Sequence, residues 1–276
     1  MDIYYINGRN QKIDFTERPY KMLAATTLFD YLWTYSTKTY NNASINRFAK
    51  EMVEKGFDIN IRGTTRAEFK EAVATILKVF DYDVRNKAPG KLYVGTSYLR
   101  CYIIGASRSQ RYVNTTHCTV TFTVVAEKDT WIEETTNRYI SRTNSPDSDS
   151  LNYPYGYPYN YMSNIMSDVI NNTGYSPTGF ELKIYGAVSN PSVYIADHEY
   201  NVGADIETGE YLVINSMSRE IYKVATDGTK VNAFSERNRE SYIFEAIPEG
   251  LNSVAWNGLF CFDITLLIER SEPVWT

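Results

Sequence analysis

The chain has 276 residues, of which 43% are hydrophobic and 22% charged, the composition of an ordinary globular protein and not of a disordered or collagen-like one. Its 28 basic and 33 acidic residues leave a net charge of -5 with no long Lys or Arg run, which argues against tight nonspecific nucleic-acid binding. No stretch approaches the ~18 consecutive apolar residues that cross a bilayer, and residues 1–15 have neither a basic nor an apolar leader region, so neither a secretion signal nor a membrane anchor is expected. Cys101, Cys118 and Cys261 are an odd number in apolar or strand-like contexts, and are expected as buried, reduced thiols. The 24 Tyr, 12 Phe and 4 Trp favour strands, and Tyr in particular suits half-wet interfaces.

In chain order, residues 2–6 and 11–15 flank the turn pair Asn7-Gly8 and predict an N-terminal hairpin. Two β-rich stretches follow, 21–35 and 48–61, separated by a polar loop over 37–43. One helix is expected over residues 65–81, opened by the capping box Thr65-Arg66-Ala67-Glu68. Its apolar face is Phe69, Ala72, Val73, Ile76, Leu77 and Phe80, the 3.6-residue period of a helix lying on a sheet. Pro89-Gly90 then turns the chain into strands over 91–95, 98–106 and 117–126, the last with clear alternation.

After Trp131 the composition changes: residues 135–164 carry Ser, Pro, Asp and Tyr with almost no aliphatic side chains. The expected organisation is a first domain over 1–138, a Tyr- and Pro-rich linker or loop over 139–164, and a second domain over 165–276. In the second, short strands are expected at 179–185, 192–195, 211–215, 220–224, 241–244, 252–255 and 260–269, an antiparallel sandwich of which a jelly roll is one solution.

Catalytic signals are sparse. The sequence contains no nucleophile elbow, phosphate-binding loop, zinc-protease helix or Cys-x-x-Cys pair. His117 opens an alternating strand, and His198 sits in Asp197-His198-Glu199, three adjacent residues that read as a solvated turn and not as a metal site. Asp205, Glu207 and Glu210 read as a charged hairpin turn, and Asp147-Ser148-Asp149 lacks the Gly and distal Glu of a calcium loop. Paired carboxylates need only spatial proximity, so a glycosidase stays open as a third reading. The Tyr-Pro run over 153–161 reads as an extended loop whose rings pack on their own protein, with subunit contact or sugar stacking as alternatives. The sequon Asn114-Thr115-Thr116 carries no weight without a secretory signal. No catalytic, cofactor-binding or metal-ligating residue is assigned, and no cofactor is expected.

The ordered set of features resembles the distal tail protein family of long-tailed phages. It comprises the strands and single amphipathic helix of the first half, Gly105-Ala106, and the alternating strand leading to Asp129-Thr130-Trp131. In the second half it comprises Gly179-Phe180-Glu181-Leu182-Lys183-Ile184-Tyr185-Gly186, Asn190-Pro191-Ser192-Val193-Tyr194-Ile195 and Gly209-Glu210-Tyr211-Leu212-Val213-Ile214-Asn215. Pro248-Glu249-Gly250-Leu251-Asn252-Ser253-Val254 and the close Leu266-Leu267-Ile268-Glu269-Arg270-Ser271-Glu272-Pro273-Val274-Trp275 complete it.

The resemblance implies a mainly β fold: a split β-barrel with one α-helix that forms a ring, joined to a galectin-like jelly-roll β-sandwich. It implies a non-enzymatic homo-oligomer, a hexamer, at the tail tip of a virion made in the bacterial cytoplasm. The ring would join the tail tube and tape measure proteins to the baseplate hub or fibre protein, with a central passage for DNA. A net charge of -5 suits a lumen that must not hold a polyanion. Within that reading Tyr4, Trp33 and Tyr35 are candidate anchors between neighbouring copies. A host-glycan adhesin built on the jelly roll is the alternative, for which Trp256 and Tyr242 are stacking candidates that strand alternation more often sends into the core. Neither a membrane nor a specific nucleic acid is expected as a partner.

Overall fold

Alternation of apolar residues places Phe57, Ile59 and Ile61 on one face of a single strand, and the first half of the chain is built around it. The computed structural model describes residues 2–38, 44–108, 116–141 and 166–274. The chain forms two compact units, Met1–Glu133 with Glu269–Thr276, and Glu134–Ile268. The architecture is mainly β, with one α-helix among the described residues.

The first unit contains β1 (Ile3–Ile6), β2 (Lys12–Asp14), β3 (Tyr20–Ala24), β4 (Thr34–Lys38), β5 (Ser44–Ala49), β6 (Val53–Arg62), α1 (Arg66–Asn86), β7 (Gly90–Val94), β8 (Ser97–Arg108) and most of β9 (His117–Tyr139). Its antiparallel sheet runs β3-β6-β9-β8-β7-β1-β2. Just past β2, the Phe15 carbonyl accepts the Met22 N–H of β3 at 2.9 Å, which draws the two edges of the sheet toward each other as in a split barrel. Phe57, Phe122, Phe80, Leu99 and Trp131 fill the interior with Ile76 and Val79 of α1. The hairpin at the start is real, but its turn is not a two-residue Asn-Gly turn. Asn7 is buried, its Oδ1 accepts the N–H groups of Arg9 and Gln11, and the positive φ falls on Asn10.

The capping box forms as expected, with Thr65 Oγ1 accepting from Glu68 N–H and Glu68 reaching back to the Thr65 N–H. The helix outruns the expected end near 81 because its inward face continues through a polar residue. Asp83 is fully buried, where its carboxylate accepts the Tyr5 hydroxyl at 2.6 Å and the Gly8 N–H at 2.8 Å, and the helix stops at Lys87 in the left-handed region. Of the expected apolar face, Ala72, Ile76 and Phe80 are buried, while Phe69, Val73 and Leu77 pack at its margin.

The stretch 21–35 is not one strand. Between β3 and β4 the chain folds into turns that bury Leu28 and bond Thr27 N–H to the Gly56 carbonyl at 3.2 Å. The C-terminal residues 269–276, expected with the second domain, belong to the first unit. Lys128–Glu269 and Arg270–Glu133 ion pairs at 2.6 and 2.8 Å hold them, together with Lys50 to Ser271 Oγ at 2.9 Å. Cys101 and Cys118 are buried and Cys261 half-buried, and all three are free thiols.

The second unit contains β10 (Met166–Asn172), β11 (Gly179–Tyr185), β12 (Val188–Ser189), β13 (Ser192–Ile195), β14 (His198–Asn201), β15 (Asp205–Ile206), β16 (Tyr211–Asn215), β17 (Glu220–Val224), β18 (Lys230–Asn232), β19 (Gly250–Trp256) and most of β20 (Phe262–Arg270). One sheet runs β18-β17-β16-β11-β20 and a second β10-β19-β13-β14, with β12 and β15 paired apart. The inner faces meet in a core of Phe180, Leu182, Val193, Tyr200, Ile264 and Trp256, the β-sandwich that the short alternating strands announce. Phe180 and Tyr200 pack edge to face at 5.0 Å, and Trp256 and Phe262 at 5.2 Å.

Residues 241–244, expected as a strand, form a loop instead. Ile243 and Phe244 are adjacent and both buried, which a pleated strand with one wet face does not permit. Conversely, His198 opens β14, and the turn is Ala196-Asp197, both at positive φ. Most of the Tyr- and Pro-rich linker, including 153–161, lies outside the described residues, as do Asn114 and Asp147-Ser148-Asp149.

Candidate assembly surface

β4 and β5 pair with each other and with no other strand among the described residues. Their register sets Tyr35 opposite Phe48, Ser36 opposite Arg47 and, after a bulge, Thr37 opposite Ile45. Because side chains alternate across a ribbon, one face carries Tyr35, Phe48 and Ile45, and the other carries Ser36, Arg47, Lys38 and Ser44. The ribbon is therefore amphipathic, yet both faces are open: Tyr35 is 66% exposed and Phe48 56%. A lone two-stranded ribbon is at best marginally stable in water, and an exposed apolar face of this kind is a candidate contact surface.

The stem of the ribbon extends the apolar surface. Leu23, Tyr31, Leu32, Trp33 and Met52 are all exposed, Leu32 at 70%. Lys50 organises two of these rings, its ammonium 5.0 Å from the Trp33 ring and 5.4 Å from the Tyr31 ring while donating to Ser271 Oγ. Burial pulls this ammonium below the ordinary lysine range, against the raising effect of nearby Asp129.

What fixes the stem is an ion pair in the interior. Alternation along β6 puts Lys55 on the same inward face as Phe57 and Ile59, where its ammonium meets the Asp129 carboxylate at 2.7 Å with both side chains almost fully buried. Lys55 also donates to the Asp30 carbonyl, and Asp129 accepts the Leu32 N–H at 3.3 Å. The pair thus clamps both sides of the turn that launches β4. At the other end of the ribbon's stem, Thr34 Oγ1 donates to the Ala49 carbonyl at 3.0 Å.

Of the three residues expected at subunit contacts, Trp33 and Tyr35 come together on this stem and ribbon. Tyr4 is elsewhere, half-buried on β1, its ring stacked on Tyr93 at 4.6 Å under the Lys12 ammonium at 4.0 Å. Phe48 and Ile45 complete the surface; their register opposite Tyr35 and Thr37 depends on where β4 begins, which the unbroken stretch 21–35 concealed. Lys55 was hidden by its charge, although its spacing two residues before Phe57 marks an inward position.

Among the described residues, no cluster of His, Cys, Asp and Glu is placed to hold a metal ion. His198 is half-buried, its Nε2 donating to the Tyr242 carbonyl at 2.9 Å. Glu210 is committed to its own turn, accepting the Glu207 N–H at 3.1 Å and pairing with Lys223 at 3.1 Å, which holds its carboxyl below the ordinary range. Trp256 is in the core, while Tyr242 is exposed. No helix among the described residues is long and apolar enough to cross a membrane.

No protein-family model matches the sequence, and no curated protein matches it. The fold does match solved structures over nearly the whole chain. One is the crystal structure of the SPP1 Dit protein (gp 19.1), described as a paradigm of the hub adsorption apparatus in phages that infect Gram-positive bacteria. It gives a TM-score of 0.56 at 10% identity, covering 98% of each chain. Others are chains of the phage P2 baseplate in its activated conformation: with Ca, TM-score 0.64 at 14% identity over 99% of this chain and 100% of that one; with Sr, 0.64 at 13% over 99% of each. The likeness is one of fold, spanning both units.

Proposed function

We propose that this chain is a structural, non-enzymatic protein of a phage tail, a distal tail protein whose copies form a ring hub at the tail tip of the virion. The observation that carries the reading is the amphipathic β4–β5 ribbon, whose exposed apolar face joins neither hydrophobic core among the described residues. The fold likeness to the Dit and baseplate structures over nearly the full length supports the same reading. Trp33, Tyr35 and Phe48 of one copy pack on the next, and Tyr4 is a second contact on β1. The ring is a hexamer that joins the tail tube and tape measure proteins to the hub or fibre protein and leaves a passage for DNA. The expected organisation into a ring-forming first domain and an outer sandwich joined through residues 139–164 belongs to this proposal.

The test is the absolute mass of the purified protein by light scattering over a concentration series, followed by negative-stain imaging. A hexamer of about 190 kDa, six times 31.7 kDa, with a central hole supports it. A strict monomer at all concentrations, both alone and mixed with the tail tube protein, overturns it.

A further inference from the structure

The second unit carries a cleft of about 600 Å³ that the tail-hub reading leaves unused. Three arginines line it, Arg219, Arg237 and Arg239, against a single acidic residue, Glu240. In a chain of net charge -5 this is a local reversal of sign, not a reflection of composition. Arg237 is committed to its own loop, donating from Nη1 to the Phe234 carbonyl at 2.7 Å with its Cζ 4.0 Å from the Phe234 ring. Arg219 and Arg239 are exposed and make no ion pair or hydrogen bond with any described residue.

Beside them stands Tyr242, 54% exposed, its ring braced edge-on by Phe244 at 6.0 Å, which in turn stacks on Phe234 at 6.1 Å. The loop bearing these groups is tied down along its length. Ser241 Oγ donates to the Glu199 carbonyl at 2.6 Å, His198 Nε2 to the Tyr242 carbonyl, Asn238 N–H to the Asn201 carbonyl at 3.1 Å and Tyr200 hydroxyl to the Glu245 carbonyl at 2.8 Å. The loop that carries Arg239 and Tyr242 is thus fixed in its backbone, while the Arg219 and Arg239 side chains stay free to close on a ligand at the cost of their own ordering.

We propose that this cleft binds an acidic saccharide, with Tyr242 covering an apolar sugar face and Arg219 and Arg239 holding the acid group, a carboxylate or a phosphate. A single-stranded nucleic acid is the poorer match, because it needs several open stacking rings along a basic track, whereas the cleft offers Tyr242, a Phe234 ring already covered by Arg237, and no lysine. The proposal is independent of whether the chain forms a ring.

Isothermal titration of the full-length protein with four probes tests it: oligogalacturonate as the carboxylate source, phosphomannan oligosaccharide as the phosphate source, maltohexaose as the neutral control and oligothymidylate as the nucleic acid. At least one acidic saccharide is expected to bind saturably and to weaken as salt is raised, and which one binds identifies the acid group. Arg219→Ala/Arg239→Ala and Tyr242→Ala are each expected to weaken it at least ten-fold, and Tyr242→Phe to retain it, with unchanged melting temperatures. Arg219→Lys/Arg239→Lys, which keeps charge but loses the fork, is expected to fall between. Absence of binding by both acidic probes, equal binding of maltohexaose, tighter binding of oligothymidylate, or full binding by the double alanine variant each overturns the proposal.

Discussion

Replacing Lys55 with methionine isolates the device that holds the ribbon's stem. The change keeps the shape of an unbranched chain beside Phe57 but strips the ammonium from an Asp129 carboxylate that is 2% exposed. At 2.7 Å the attraction lost is about 6 kcal/mol if an effective dielectric of ~20 applies, and most of it offsets the cost of burying two charges. The observable quantity is the cost of leaving one charge alone, about 3–5 kcal/mol, a large share of the roughly 5–15 kcal/mol that holds a domain folded. Lys55→Met/Asp129→Leu removes both charges and is expected to recover most of that loss. It still removes a side-chain partner from the Leu32 N–H and from the Asp30 carbonyl, each costing less than the ~1–3 kcal/mol of a fully buried group because water can reach these exposed residues, and that deficit is confined to the stem. Urea denaturation gives the global free energies, and hydrogen exchange at residues 30–33 gives the local one. A single variant within about 1 kcal/mol of the parent, or a double variant whose loss equals the sum of the singles, would show that the pair does not act as a coupled clamp.

Four further outcomes follow from other sites. Trp33→Ser/Tyr35→Ser/Phe48→Ser is expected to abolish the large species in light scattering while leaving the melting temperature unchanged. Covering Tyr35 alone would remove about 130 Å² from water, about 3 kcal/mol before association costs, so retained assembly would exclude the ribbon as the contact. Gly90→Ala puts a Cβ into the Tyr5 hydroxyl and ring and 2.6 Å from Asp83 Oδ2, and is expected to cost about 1–3 kcal/mol or more in denaturant unfolding. Tyr5→Phe leaves a buried carboxylate oxygen without its 2.6 Å donor and is expected to cost about 1–3 kcal/mol in the same assay. Asp263 is held below the ordinary carboxylate range by its hydrogen bond from Arg138 and, secondarily, by Tyr185. A depressed acid contributes stability that is full above the unfolded pKa of about 3.9 and disappears as pH falls through the lower folded value. In Arg138→Gln the acid loss of stability below about pH 4 is therefore expected to become shallower, measured by thermal melts from pH 6 to 2.

How much of the fold was legible depended on whether a residue's burial agreed with its chemistry. The strands at residues 179–185, 192–195, 211–215 and 220–224 coincide with β11, β13, β16 and β17, because their apolar residues alternate or run unbroken between turn residues. The capping box named the start of α1, since both hydrogen bonds are local to four residues. Its end was illegible because Asp83 reads as a surface carboxylate, and only the distant Tyr5 hydroxyl and Gly8 amide make it an interior residue. β10 escaped for a related reason: Asp168-Val169-Ile170-Asn171-Asn172 looks like a loop until β19 supplies its pairing over seven residues. Long-range partners, not local pattern, decide such segments.

The candidate surface follows the same rule in reverse. Trp33 and Tyr35 lie in a stretch whose composition reads as half-buried strand and are named as contacts only through the family resemblance, and the structure leaves both rings exposed. Their setting was invisible, since the clamp under them consists of a lysine and an aspartate 74 positions apart, neither of which has a local signature. The division of labour is physical. If the apolar ribbon is covered by another chain, as proposed, it is exposed before assembly and cannot draw rigidity from its own burial. A buried pair is expected to supply it instead: Lys55 and Asp129 hold the backbone at Asp30 and Leu32, so the pair, though it adds little net stability over an apolar core, can direct the stem. Loss of the clamp should therefore weaken assembly more than it weakens the folded chain, and Lys55→Met/Asp129→Leu separates the two: a folded protein whose large species dissociates at concentrations where the parent's persists.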